Sequence, residues 1–456
     1  MVTVNKKIVH TVFEEIAERF PGRIAIRHAE REISYCDLNR LSDDIAKLLK
    51  HVGVKRDVIV GVLLESSIAY VAAIIGVMKA GGVFLPLDMS FPEKRLEYIL
   101  RKTVPEVIIS EMAFEAICER LEATGLTKDI LGSHECPVIL VDQDTAFFSK
   151  TQSEINPFRY SWNSSDVLFK NRVALSEADS AESFPDPDDS CYIIYTSGST
   201  GVPKAIEGCY KSLSHFVHWE VKEFGFDERI RVTQLPPVTF DASLRDIFVP
   251  LITGGMLCIP EKETRTNMKA LVQWMEEAGI TLVHCVPSLF RMMTKEIDEG
   301  KSGKDGKDVL PELRYILMAG EPLYGKDVSA WMDIVGERVT LVNLYGPSET
   351  TLVKTFYPIR QRPASPNAMI PVGHPISNTA ILITKGNRLC EPGEIGDIFI
   401  KTPFRTKGYY HDPDLTKMSF VPNPLTSDPE DIVYTAISGD ILPTGELSSS
   451  ADSTPR

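Results

Sequence analysis

Cys191-Tyr-Ile-Ile-Tyr195 runs directly into Thr196-Ser-Gly-Ser-Thr-Gly-Val-Pro-Lys204. The apolar and aromatic residues predict a buried strand, and the strand opens into hydroxyls, glycines and one lysine. That combination supplies what a polyphosphate needs: backbone N–H groups that glycine lets approach closely, short hydroxyl donors and a cation. Thr196, Ser197, Gly198, Ser199, Thr200, Gly201 and Lys204 are therefore candidate phosphate-binding residues. A Ser/Gly-rich surface turn would account for the composition, but not for the strand before it or the Pro-Lys after it. The pattern is not GxxxxGK[ST], so this is not a Walker loop.

The sequence on the N-terminal side suits a parallel α/β layer. Val58–Leu64 and Gly82–Leu87 read as strands and Ala69–Ala80 between them as a helix, the alternation expected of such a layer. Between about 145 and 188 the chain turns polar and acidic, ending in Ala181-Glu-Ser-Phe-Pro-Asp-Pro-Asp-Asp189, which marks a surface connection and an internal boundary. Lys301-Ser-Gly-Lys-Asp-Gly-Lys-Asp308 predicts a solvated loop before the strand Tyr315–Ala319. The end, Leu447-Ser-Ser-Ser-Ala-Asp-Ser-Thr-Pro-Arg456, has almost nothing to bury, and disorder is expected over 448–456.

Composition excludes several function classes. The 456 residues are 43% hydrophobic, enough for a large core divided among more than one compact unit. A net charge of −14 repels nucleic acid and anionic membrane surfaces, so neither is expected as a partner. The eight cysteines form no CxxC pair and no zinc-ligand cluster, and read as reduced thiols of a cytoplasmic protein. No signal peptide is visible, and apolar runs such as Ala69–Met78 fall far short of the roughly 20 residues that span a bilayer.

The loop Thr196–Lys204 resembles the adenylate-forming superfamily signature TSGSTGxPKG, departing only at Ala205. The resemblance recurs in order along the chain: Ile33-Ser-Tyr-Cys-Asp-Leu38, Leu85-Pro-Leu-Asp88, Phe240-Asp-Ala-Ser243, Asn343-Leu-Tyr-Gly-Pro-Ser-Glu-Thr350 and Gly393-Glu-Ile-Gly396. The chain is thereby similar to the large core of a nonribosomal peptide synthetase adenylation domain. This implies two doubly wound α/β subdomains (about 1–180 and 190–345) and a smaller distorted β-barrel unit (350–430), within an adenylation core of 1–447. It also implies ATP with Mg2+, release of pyrophosphate, and transfer of the activated amino acid to the phosphopantetheine of a peptidyl carrier protein. Thr196, Lys204 and Glu349 are the implied catalytic residues. Asn343, Tyr345, Gly346 and Ser348 are implied ATP contacts, with Tyr345 near adenine and Glu349 holding the magnesium. Read without the resemblance, Gly-Pro after Val339–Leu344 enforces a turn, and Glu349 could simply be a helix N-terminal charge.

Asp241 stands in Val238-Thr-Phe-Asp-Ala-Ser243, where a carboxylate is costly unless a cation or several donors meet it. An internal salt bridge is one solution, and a substrate ammonium is another. The resemblance implies the second, an α-amino acid gripped by Asp241, because acyl- and aryl-CoA ligases generally lack this residue. The implied substrate-site residues are Phe240, Asp241, Ala242, Arg245, His284, Leu317, Ala319, Gly320, Leu344, Leu352 and Val353. Arg245 and His284 among aliphatic residues predict a cationic end complementary to a side-chain carboxylate, hence aspartate, methylaspartate or glutamate. The pattern is also similar to cyanobacterial synthetase pockets for β-methylaspartate. Glu207, where related domains usually carry an apolar residue, could cancel Arg245 and favour arginine or an aromatic amino acid instead. An acyl- or aryl-CoA ligase and a catalytically silent binding core are the remaining alternatives.

Tyr434-Thr-Ala-Ile-Ser-Gly-Asp440 is similar to the family's Tyr-x-Thr-Gly-Asp motif, with two extra residues and Ser438 departing from it. Asp440 is the implied ribose ligand, and a plain Gly-Asp turn is the alternative. The hinge and small C-terminal lobe implied by the family do not follow Leu447. The lobe's lysine would clamp the α-phosphate, and loss of one such charge clamp is expected to lower the rate on the order of 10²–10³-fold.

Overall fold

The computed structural model describes residues 7–88, 90–111, 138–140, 158–160, 185–196, 202–300, 309–441 and 447–449. The chain divides into two compact units. Met1–Gly22, Ile33–Tyr210 and Val238–Phe240 form one; Arg23–Glu32, Lys211–Pro237 and Asp241–Arg456 form the other.

In the first unit the strand order is Lys204–Cys209, Ser190–Thr196, Val83–Pro86, Ile59–Leu63, Val107–Ser110, Val138–Leu140, Phe158–Tyr160. The four pairings from Ser190–Thr196 to Val138–Leu140 are parallel, and the outermost pairing at each end is antiparallel. The helix Ile68–Ala80 lies at the heart of the unit, with Ala72, Ala73, Ile74, Ile75 and Val77 wholly buried. This explains why its sequence shows no polar stripe: a helix enclosed on every side has no face for water. Ser67 caps it by accepting from Tyr70 N, and Gly81 ends it at φ +79°. The helix Tyr35–His51 approaches at Gly76, where a Cβ would fall 2.6 Å from Ile45 Cγ2.

Two expectations change here. The boundary foreseen at 180–190 is displaced, because Tyr192 is in register with Phe84 and the strand Ser190–Thr196 therefore belongs to the first unit. The polar stretch 145–188 also contributes a strand, Phe158–Tyr160, paired with Val138–Leu140. Most of that stretch, and the run 301–308, lie outside the described residues.

The second unit holds two sheets. The larger runs His374–Pro375, Thr355–Ile359, Thr340–Tyr345, Tyr315–Met318, Leu282–Cys285, Arg231–Thr233, Met256–Ile259, Ile24–His28. It is parallel from Thr340–Tyr345 to Ile24–His28. Val283, Cys285, Ile316, Met318 and Leu341 join one apolar core with Phe290, Val328 and Trp331 from the helices Pro287–Glu299 and Gly325–Val335. Because side chains alternate along a strand, His284 and its register partner Leu317 face the opposite side.

The smaller sheet is antiparallel, in the order Arg388–Leu389, Ala380–Lys385, Ile395–Lys401, Ile432–Ile441, Phe420–Pro422. Its core is small: Val372, Ile383, Cys390, Ile398 and Ile400. Leu447–Ser449 pairs with Ile432–Ile441, so ordered chain reaches into the expected tail, whose remainder from 450 lies outside the described residues.

Candidate functional site

In the first unit the hairpin of Ser190–Thr196 and Lys204–Cys209 places Thr196 directly opposite Lys204. A hydroxyl-bearing and an amine-bearing residue thus stand at the two ends of the intervening loop. Ser197, Gly198, Ser199, Thr200 and Gly201 themselves lie outside the described residues. The hairpin is held close by Gly208, whose Cβ would fall 1.9 Å from Tyr192 Cζ. Glu207 has a partner within this hairpin, its Oε1 accepting from Ser190 Oγ at 2.5 Å.

In the second unit Asp241 immediately precedes the helix Ala242–Leu251, and Arg245 follows one turn later. Burial pushes the Asp241 carboxyl above its ordinary range. Hydrogen bonds from the Ser348 hydroxyl and the Ala242 amide oppose that shift, as does the Arg245 charge, while Glu349 reinforces it. The structure thus gathers Asp241, Arg245, Ser348 and Glu349, which the sequence had assigned to two separate motifs. Arg245 is 3% exposed, its Nε has no hydrogen-bond partner, and among the described residues no carboxylate forms an ion pair with it.

His284 departs from expectation. It is fully buried, with Nδ1 2.6 Å from Asp246 Oδ1 and Nε2 2.5 Å from Glu220 Oε1. Burial alone would lower its pKa, but Glu220 and Asp246 raise it, so the imidazolium is favoured. The positive charge expected to join Arg245 in facing a substrate is therefore already engaged by two carboxylates. Asp246 in turn is pushed up by burial and held down by His284 and Arg245. Neither acid was singled out from the sequence. Asp246 did carry a signal, a second charge beside Arg245 in an otherwise apolar helix. Glu220 carried none, since a glutamate in the amphipathic helix Tyr210–Phe224 reads as solvent-facing.

The strand Thr340–Tyr345 brings Leu344 and Tyr345 to its carboxyl end, the edge at which ligands bind in open α/β sheets. Leu317, Leu344, Leu352 and Val353 are buried, Ala319 half-buried and Gly320 exposed. Asn343, expected to contact ATP, donates from Nδ2 to Ile370 O at 3.1 Å and Pro371 O at 2.8 Å, bonds that involve its nitrogen and not Oδ1. Its side chain ties the strand to the segment beside it. After Tyr345 the chain doubles back through the short helix Ser348–Thr350 and two left-handed residues, Thr351 (φ +69°) and Leu352 (φ +59°). Only glycine fits at 346, where a Cβ would lie 2.4 Å from Leu352 O.

That reversal fixes Glu349. Tyr409 Oη donates to its Oε1 at 2.6 Å, Tyr434 supplies a second phenol, and Thr406 binds the Glu349 carbonyl through N and Oγ1. Burial and this carboxylate push both tyrosines upward, so the phenols stay protonated donors. Asp440 lies on the strand Ile432–Ile441, opposite Ile395 on one side and Ser448 on the other. It is therefore part of a ladder, which removes the Gly-Asp turn alternative.

Among the described residues no three His, Cys, Asp or Glu side chains cluster as a metal site, and no helix is long and apolar enough to cross a membrane. The family profile described as AMP-binding enzyme matches residues 13–410. Tyrocidine synthase 1 of Brevibacillus parabrevis is 30% identical over 420 residues, covering 92% of this chain and 34% of that protein. The chain spans about a third or less of the first curated relatives it matches. Among solved structures, the nonribosomal peptide synthetase FmoA3 in its AMPPNP-bound form has a TM-score of 0.78 at 23% identity, covering 98% of this chain and 43% of that one. The N-terminal subdomain of Klebsiella oxytoca NpsA in complex with 3-hydroxybenzoyl-AMSN has a TM-score of 0.73 at 22% identity, covering 97% and 99%. These likenesses concern the fold.

Proposed function

Because this chain belongs to the AMP-binding enzyme family, we propose that it activates an α-amino acid with ATP, as the adenylation domain of a nonribosomal peptide synthetase. An oxygen of the amino acid's carboxylate attacks the α-phosphorus of ATP. The bond to the bridging oxygen breaks, pyrophosphate leaves, and an aminoacyl-adenylate remains. The thiol of a carrier protein's phosphopantetheine is the acceptor that consumes it.

The observation that carries this reading is Asp241, a carboxylate pushed up by burial and gathered with Ser348, Glu349 and the partnerless Nε of Arg245. A substrate ammonium is the cation that relieves its burial. Thr196 and Lys204 flank the loop to which we assign the phosphates. Glu349 is a hard oxygen donor fixed by two phenols. One carboxylate fits Mg2+, which takes most of its ligands from phosphates and water. When bound, the ion supplies charge neutralisation to the departing pyrophosphate.

For the side chain, Arg245 favours a carboxylate: its buried Nε has no hydrogen-bond partner, and among the described residues no carboxylate pairs with it directly. The substrate we favour is aspartate, methylaspartate or glutamate. The engagement of His284 by Asp246 and Glu220 supports a second reading, a site with little net charge that takes a neutral side chain. Amino-acid-dependent exchange of labelled pyrophosphate into ATP tests both. Exchange with the acidic members of a panel is the expected result, and exchange with leucine, tyrosine or arginine alone would reject the acidic reading.

A further inference from the structure

The group buried beside Arg245 is a three-membered chain, Glu220–His284–Asp246, whose members come from the helix Tyr210–Phe224, the strand Leu282–Cys285 and the helix Ala242–Leu251. All three side chains are completely inaccessible to solvent. Both ring nitrogens lie at hydrogen-bond distance from a carboxylate oxygen, so each short bond needs a proton between its atoms. With those two protons the chain comprises an imidazolium and two carboxylates, one net negative charge. That charge offsets Arg245, which acts electrostatically on His284 and Asp246. Among the described residues, the other charged or titratable groups near it are Asp241, whose carboxyl feels the Arg245 charge; Cys285, a neutral thiol pushed up to about 12; and Glu321, bonded by Ser288 and paired with Arg291. Glu220 Oε2 is buried and has no hydrogen-bond partner, which leaves one carboxylate oxygen stripped of water without compensation.

We propose that Glu220 and Asp246, acting through His284, are positioning residues that set the charge of the substrate side-chain site. They balance Arg245 in the empty protein and take up one proton when an acidic side chain binds there. The inference rests on Arg245 facing the substrate side chain. A carboxylate arriving at Arg245 would otherwise leave an uncompensated negative charge in a dry site, an arrangement disfavoured far more than a neutral one. The uptake neutralises one carboxylate of the chain and restores the balance. A neutral amino acid brings no such charge and needs no proton.

The test is calorimetric titration of the whole chain with aspartate, glutamate and leucine between pH 6 and 8, in PIPES, HEPES and Tris, whose different ionisation heats report the protons exchanged. For the acidic ligands we expect uptake of about one proton and a Kd that rises with pH, by up to about tenfold per unit. In Glu220→Gln, which removes the charge but keeps the shape, the acidic Kd at pH 8 falls and both the slope and the uptake disappear. Acidic ligands that bind with a flat Kd and no uptake would overturn the inference while leaving the acidic reading intact. Binding of leucine alone would overturn the acidic reading and the inference with it. If Glu220→Gln does not fold, the wild-type slope and proton count still decide.

Discussion

Replacing Gly346 with alanine is a severe test of how the reversal after Tyr345 is built. The added Cβ would stand 2.4 Å from Leu352 O, 2.6 Å from Val353 Cα and 2.7 Å from Lys354 N, all backbone atoms that no rotamer change removes. Ordinary carbon contacts lie at about 3.5–4.0 Å, so the chain must open by about 1 Å. The bond from Lys354 N to Tyr345 O, 2.8 Å long, spans that gap and would be lost. Overpacking costs about 1–3 kcal/mol, and the hydrogen bond about 1 kcal/mol more. The sum, about 2–4 kcal/mol, corresponds to a melting temperature roughly 5–10 °C lower in a unit of this size. Thermal unfolding by circular dichroism measures it, with Gly22→Ala as the control because nothing lies within 4 Å of a Cβ there. The control should stay within about 1 °C of the parent. Equal melting temperatures for the two variants would refute the reasoning.

Other outcomes follow from single side chains. Asp241→Asn removes the charge assigned to the substrate ammonium and should weaken amino-acid binding by about 10–100-fold, the range of a charged hydrogen bond; ATP binding measured separately should hold. Tyr409→Phe deletes one of the two phenols that fix Glu349 and should cost about 1 kcal/mol of stability; nucleotide affinity should fall as well, and a calorimetric Kd equal to the parent's would count against that role. His10 is buried against Tyr210, and burial followed by the nearby Lys79 lowers its pKa from 6.5 to about 3. The folded state therefore holds it neutral. Its stability contribution is complete above the unfolded pKa of about 6.5 and is lost as pH falls towards about 3, at roughly 1.4 kcal/mol per unit. Urea denaturation between pH 7 and 4 should show a shallower acid slope in His10→Gln, and parallel slopes would contradict the assignment.

Much of the fold was legible because it depends on local pattern. The strands Ile59–Leu63, Val83–Pro86, Tyr315–Met318 and Thr340–Tyr345 fall within a residue or two of where apolar runs placed them. The helix Ile68–Ala80 was legible from its place between two strands in an alternating pattern, although a helix buried on all sides carries no amphipathic signature. Misplacement of the first boundary has a physical cause: nothing local in Cys191–Tyr195 tells which sheet the strand will join. Its partner is the strand Val83–Pro86, more than a hundred positions earlier, where Phe84 is in register with Tyr192.

The sequence by itself determined the chemistry available: a hydroxyl- and glycine-rich loop closed by Lys204, a carboxylate at 241, an arginine at 245 and a Gly-Pro turn before Glu349. These depend on residue type and spacing, which any reading of the chain retains. Tertiary structure alone decided which charges are already spent. His284 looked like a second cation for the substrate, but Glu220 and Asp246 reach it from separate helices and occupy both ring nitrogens. Asn343 looked like a ligand contact, and the fold gives its amide a structural task as well, Nδ2 donating to the backbone at Ile370 and Pro371. A hydrogen bond between distant positions depends on where the fold brings them, and in a buried site that placement, more than the identity of the residue, sets whether a charge remains for a ligand.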